Sequence, residues 1–165
     1  MKKWIALLLT ALLLCGCGAQ PTFETVDDND SLVVSATSRE ILLDLPKEAA
    51  KPTMESAFGD CLYLCDGYTL SVQTLSGGDL GRTISAITGY PEGQLHPVQT
   101  KTADAARYDL VWTAAGEGGD QIGRAVILDD GVSHYAVTVM ADADKSGKLR
   151  EVWQDLLGSV TLSTD

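Results

Sequence analysis

The feature that most constrains this fold is the segment from Cys61 to Leu75, where Asp66-Gly67 separates two runs of alternating polarity. Asp-Gly is the favoured pair for a two-residue type I′ turn, because the twist of that turn matches the twist of the strands it joins. The segment therefore reads as a β-hairpin, with strands at 61–65 and 68–75. So short a loop fixes the register, pairing Cys65 with Tyr68, Tyr63 with Leu70 and Cys61 with Val72. All six then share one face, and a slip of one residue would turn every one of them outward, so that face is expected to be core.

The rest of the chain must supply partners for this hairpin. Residues 39–46 alternate, with Ile41, Leu43 and Leu45 on one face and Pro46 as a stop, which reads as an opening strand; 47–57 reads as a loop or short helix. Gly77-Gly78 interrupts the hairpin's second strand, and Asp79 is placed to cap a short helix through about Thr88 that carries Leu80, Ile84 and Ile87 on one side and ends at Gly89-Tyr90-Pro91. Strands at about 98–102, 107–115, 121–128 and 132–140 form a meander, joined at Asp104-Ala105, Gly116 to Asp120 and Asp129-Asp130-Gly131, each of which is turn chemistry.

The chain closes with an amphipathic helix at about 144–157. Its Leu149, Val152, Trp153, Leu156 and Leu157 follow the i, i+3, i+4, i+7, i+8 pattern, and a short strand at 159–162 follows Gly158. That order of elements demands an α+β domain, mainly antiparallel, with the early hairpin and four-strand meander packed by a short helix and a long C-terminal helix.

The N-terminus carries a different kind of signal. Met1-Lys2-Lys3 precedes an apolar run from Trp4 to Leu14, followed by Leu14-Cys15-Gly16-Cys17-Gly18. A basic start, a short apolar stretch and a small residue at the cleavage point make a secretory signal. As a helix the apolar run rises only about 16 Å, too little for a bilayer core of about 30 Å. Leu14-Cys15-Gly16-Cys17 resembles the bacterial lipobox, and the resemblance implies a covalent diacylglycerol on Cys17 with cleavage before it. An ordinary secretory signal cleaved near Cys15 or Gly18 is the alternative, and Gly16 directly before Cys17 favours the lipid-anchored reading. The chain then divides into a signal peptide at 1–16, a lipidated Cys17 with a flexible acidic tether to residue 30, and one domain at 31–165. Two acyl chains suffice for stable anchoring, which puts the expected location on the outer face of the cytoplasmic membrane, or on the outer membrane of a Gram-negative host.

The chain has 12 Lys and Arg against 23 Asp and Glu, a net charge of −11, and loss of Lys2 and Lys3 takes it to about −13. Such a surface repels nucleic acid and anionic lipid, which excludes phosphate-backbone binding and a polybasic membrane mode. Cationic peptides, basic proteins, metal ions and cell-wall amines remain as partners. Cys61 and Cys65 remain once Cys15 and Cys17 are assigned. Four residues of strand separate them by about 13 Å, against roughly 4.4–6.8 Å for a disulfide, so free thiols are expected, both acting as small buried hydrophobes. Cys-x-x-x-Cys without a local His is also a poor zinc site.

Taken together, the opening strand ending at Leu45-Pro46, the early hairpin, the meander, the closing strand His134-Tyr135-Ala136-Val137-Thr138-Val139, the long helix and Gly158-Ser159-Val160-Thr161-Leu162 resemble the PsbP-like fold. Photosystem extrinsic proteins and many small bacterial lipoproteins share that fold. The resemblance implies a role in binding or supporting other proteins.

Candidate chemistry is sparse. Asp142-Ala143-Asp144-Lys145-Ser146-Gly147 matches the start of a calcium loop, with oxygens from Asp142, Asp144 and Ser146, but Trp153 stands where the loop needs a bidentate Glu. The competing reading is a strand-to-helix connection in which Asp144 or Ser146 caps the helix. His96 and His134 are the two histidines. His134 is expected half exposed beside Ala136 and Thr138, and it would serve a small envelope hydrolase only if a nucleophile and an orienting acid lay within reach. Gly116 to Gly119 lacks the spacing and the following helix of a phosphate loop, and Asp129-Asp130 is accounted for by its turn.

The reading that remains is a lipid-anchored, extracytoplasmic, non-catalytic binding or accessory module of the cell envelope. It needs no cofactor beyond the diacylglycerol, and its partner is an envelope protein or peptide. A hydrolase using His134 and a calcium-responsive module are the alternatives. A binding module should display an exposed apolar or aromatic patch, for which Tyr90 and the Gly116 to Gly119 hairpin are the expected rims.

Overall fold

The computed structural model describes residues 38–102, 104–116 and 118–164. The signal peptide at 1–16, Cys17 and the tether to residue 30 lie outside the described residues. The elements are β1 (Ile41–Leu42), a single 3-10 turn (Lys47–Ala49), β2 (Met54–Glu55), β3 (Cys61–Cys65), β4 (Tyr68–Ser76), α1 (Leu80–Thr88), β5 (Val98–Lys101), β6 (Ala106–Gly116), β7 (Gly119–Asp129), β8 (Ser133–Asp142), α2 (Ala143–Gly158) and β9 (Thr161–Leu162). Seven strands form one antiparallel sheet in the order β2-β3-β4-β8-β7-β6-β5, and β1 pairs with β9 in a small second sheet. The domain is α+β, with a mostly antiparallel sheet and two helices.

The hairpin has the register its turn dictates, with Cys65 opposite Tyr68, Tyr63 opposite Leu70 and Cys61 opposite Val72. Tyr63, Tyr68 and Leu70 are buried, while Cys61, Cys65 and Val72 are half-buried and pack against the same core. Cys61 and Cys65 are free thiols.

Hairpin and meander become one sheet through β8, which returns from β7 to pair with β4 along Thr69 to Ser76. Its central position explains its composition, because a strand covered on both faces has no polar side to show. On one face Tyr135, Val137 and Val139 join Val126, Leu70 and, from α2, Trp153, Leu156 and Leu157. On the other, Ala136 joins Ala125, Ile127, Leu110, Trp112 and, from α1, Ile84. Each helix therefore has its own face of the sheet. Asp79 caps α1 by accepting from Gly81 N at 2.8 Å, and Gly89 closes it with φ 76°.

Several expectations need correction. The opening strand is shorter than 39–46, because β9 offers only two residues for pairing, and Leu45 beyond it is 38% exposed instead of core. The short strand β2, within the stretch read as loop or helix, adds to the free edge of β3. On α2, Trp153, Leu156 and Leu157 are buried, but Val152 is 40% exposed. The helix also begins earlier than expected. Asp142 occupies the position before its first turn without a side-chain capping bond, so Asp144 and Ser146 lie inside the helix and do not cap it. Among the described residues, no helix is long and apolar enough to cross a membrane.

Candidate binding groove

A large concavity among the described residues is built around residues 39–45, whose Ile41 and Leu43 pack on the α2-side core. Polar contacts from the residues that follow α2 hold this segment. Arg39 Nε donates to Ser163 O at 2.7 Å, Glu40 N to Ser163 Oγ at 3.0 Å and Asp44 N to Ser159 Oγ at 2.9 Å. Its start is tied to the sheet through Arg39 N, which donates to the Tyr135 hydroxyl at 2.8 Å, and that hydroxyl in turn donates to Asp130 Oδ2 at 2.8 Å. Between the segment and strands β3 and β4 lies a groove of about 640 Å³, with Cys61, Tyr63, Val72 and Thr74 on the sheet side and Ile41 to Leu45 opposite. Burial, reinforced by the neighbouring Cys61 thiol, pushes the Tyr63 hydroxyl above its ordinary range.

Phe58 stands at the rim and is 91% exposed. Its turn is held tightly. Ser56 Oγ accepts from Phe58 N at 3.2 Å and from Asp60 N at 3.1 Å, Ser56 N donates to Asp60 O at 2.8 Å, and Asp60 Oδ1 accepts from Thr74 N at 3.1 Å. A phenyl ring displayed on a hydrogen-bonded turn beside the groove has the form of a binding anchor, since the backbone that carries it is ordered before any partner arrives.

Asp130 secures the far end. Burial acts to raise its carboxyl pKa, but N–H groups of Ser133 and Val132 and the Tyr135 hydroxyl bond the charged form and hold it below the ordinary aspartate range. A depressed folded-state value stabilises the fold at pH values above the unfolded pKa of about 4, and that contribution is lost as the pH falls through the folded value. Asp130→Ala is expected to cost about 1–3 kcal/mol at pH 7. The gap between variant and parent should close on acidification below pH 4, as measured by urea denaturation across that range. A gap independent of pH would mean that the charge on Asp130 does not matter.

The histidine expected to be half exposed is fully buried. His134 is 0% exposed because α1 covers its face of β8, with Thr83 Oγ1 2.6 Å from its Nδ1 and Asp129 Oδ2 3.7 Å from its Nε2. Thr83 is itself buried, and His134 projects from the face opposite the groove, since Tyr135 beside it belongs to the α2 side. A catalytic imidazole must reach substrate, and this one acts as a packing and positioning group. His96 lies exposed in the loop before β5, apart from both.

Two of the three calcium candidates, Asp142 and Ser146, are engaged elsewhere. Lys145 Nζ bonds Asp142 Oδ2 at 2.6 Å and holds that carboxyl below its usual range, and Ser146 Oγ donates to Ala143 O at 2.8 Å. Asp144 sits in the first turn of α2. Helical geometry spreads positions one, three and five around the helix instead of wrapping them about an ion. Among the described residues, no three His, Cys, Asp or Glu side chains gather as metal ligands.

The expected rims also differ. The Tyr90 hydroxyl donates to Thr113 O at 2.7 Å, and its ring packs on the α1-side core, so Tyr90 braces the fold. Gly116 pairs directly with Gly119 in a tight hairpin end. Phe58, which no motif marked, is the exposed aromatic among the described residues. The available signal was its placement between Ser56 and Gly59-Asp60, a turn that offers an aromatic ring nothing to pack against.

No known sequence family matches the chain, and no curated protein matches it. Among solved structures the chain is similar in fold to LpqN of Mycobacterium tuberculosis, a protein involved in cell envelope biogenesis. The two are 12% identical with a TM-score of 0.50, over 77% of this chain and 85% of that one. It also matches PA94 of Pseudomonas aeruginosa, a protein of unknown function, at 14% identity and a TM-score of 0.46, over 69% of this chain and 91% of that one. The first likeness places the architecture among folds already seen.

Proposed function

We propose that this chain is a non-catalytic binding or accessory module of the bacterial cell envelope, PsbP-like in fold and held at the outer face of the membrane by a diacylglycerol on Cys17. The observation that carries the binding half of this reading is Phe58, 91% exposed on a turn fixed by its own hydrogen bonds at the mouth of a groove of mixed polar and apolar lining. Burial of His134 removes the residue on which a hydrolase reading depended. The lipobox at Leu14 to Cys17 supports the location, and so does a fold shared with a protein involved in cell envelope biogenesis. Confinement near a membrane raises the effective concentration toward other surface proteins, so even weak contacts through the groove are productive.

The test is chemical crosslinking on intact native cells with mass spectrometry of the products, comparing the native chain with Cys17→Ala. We expect a reproducible partner from the anchored form and its loss from the variant. Equal recovery from both forms would reject the anchor, and no reproducible partner from either would reject the module.

A further inference from the structure

We infer that the groove binds an extended, cationic segment of a partner protein by strand addition, with the segment pairing to the open edge of residues 41–43. The inference rests on the binding-module reading and names the partner's chemistry.

Main-chain geometry comes first. Ile41 pairs with Leu162 and Leu42 with Thr161, and Ser163 N donates to Glu40 O at 2.8 Å. In an antiparallel ladder successive residues direct their N–H and C=O groups to opposite sides. Glu40 and Leu42 therefore turn theirs toward β9, while Ile41 and Leu43 turn theirs toward the groove. Among the described residues none bonds the main-chain groups of Ile41 or Leu43. An open strand edge beside a groove of about 640 Å³ is a template for a further strand.

Side-chain alternation then sets the composition of that strand. Ile41 and Leu43 pack inward on the core, while Glu40, Leu42 and Asp44 face out and are exposed. An added strand would place alternate residues over Tyr63 and Val72, which favours apolar side chains there. The residues between would flank Glu40 and Asp44, and neither of those carboxylates has an ion-pair partner among the described residues. Opposite charges across a strand pair stabilise it and like charges destabilise it, so Lys or Arg is favoured at those positions. Phe58, exposed at the rim of the groove, supplies the apolar anchor. A second copy of this chain is disfavoured on the same grounds, because its net charge of −11 would oppose acid to acid.

The experiment uses the full chain in a neutral detergent and a capped Lys-Val-Lys-Val-Lys-Val-Lys peptide. Its controls are the Glu-Val counterpart and two versions of the Lys-Val peptide, N-methylated on either the Lys or the Val nitrogens. Affinity is read by fluorescence anisotropy, and protection by hydrogen exchange at single amides. We expect the Lys-Val peptide to slow exchange at Ile41 and Leu43 at least tenfold, the Glu-Val peptide not to bind, and one of the two N-methylated peptides to fail. Phe58→Ala should weaken binding about tenfold, as expected for an anchor residue, and so should Glu40→Gln with Asp44→Gln, with thermal unfolding unchanged in both variants.

Equal binding by both N-methylated peptides would overturn strand addition. So would amides at Ile41 and Leu43 that are already protected without peptide, since another part of the chain or a second copy would then lie on that edge. If these fail while crosslinking in cells still recovers a partner from the anchored form, this inference falls and the module reading stands.

Discussion

Trp153→Ala is expected to lower the unfolding free energy by about 3–5 kcal/mol, the usual cost of emptying a buried aromatic site. Trp153 is 1% exposed, and its ring meets Tyr68 edge-to-face with centroids 6.2 Å apart. It stands one turn before Leu156 and Leu157, so these three side chains are what α2 buries against the sheet. A helix of 16 residues is marginal alone in water, and its stability comes from that docking. No hydrogen bond is lost with the ring, because the indole N–H has no partner among the described residues, so the loss is one of packing. Urea denaturation should show a lower midpoint with an unchanged slope. Trp153→Phe, which keeps the aromatic contact with Tyr68, should recover a substantial part of the loss. A cost below about 1 kcal/mol for the alanine variant would show that α2 is not anchored at this position.

The consequence reaches the groove. Ser159, which directly follows α2, and Ser163, which follows β9, hold the 39–45 segment. Loosening α2 should therefore free the open strand edge before the large sheet unfolds, and raise hydrogen exchange at Ile41 and Leu43 in Trp153→Ala at urea concentrations where the β4, β7 and β8 amides remain protected.

What the sequence discloses follows from how local the responsible physics is. The 61–75 hairpin is legible to the residue because a two-residue turn leaves one register, and the α2 stripe is legible because three buried residues fall within five positions. β8 is harder. His134 to Ala141 is nearly all buried on both sides, so alternation no longer tells one face from the other, and His134 reads as half exposed when α1 in fact covers it. Which helix takes which face depends on contacts between elements far apart in the chain. The groove is illegible for the same reason, since its walls come from residues 39–45, 58–63, 72–74 and 159–161, no one of which carries a motif. The calcium-like run shows the converse failure, in which a local pattern is overridden because the helix begins at Ala143.

Gly123→Ala offers a test in which the sign alone decides. In an open strand position whose backbone suits an L residue, Gly→Ala stabilises a protein by about 0.4–1 kcal/mol through the unfolded chain. Gly123 lies directly opposite Trp112 in the β6–β7 ladder, and a Cβ there would overlap Cε2 and Cζ2 of the indole. Trp112 has no free volume to retreat into, being buried among Ile84, Leu110 and Ile127 on the α1 face. The variant must therefore rotate the ring or part the strands, and we expect a loss of about 1–3 kcal/mol, with Gly123→Val losing more. Trp112→Ala alone should cost about 3–5 kcal/mol. The double variant should cost clearly less than the two losses together, because once the indole is gone the added methyl meets an open site and helps fill it. Additive losses would place the Trp112 ring away from Gly123, and a stabilised Gly123→Ala would remove it from that face of the sheet altogether.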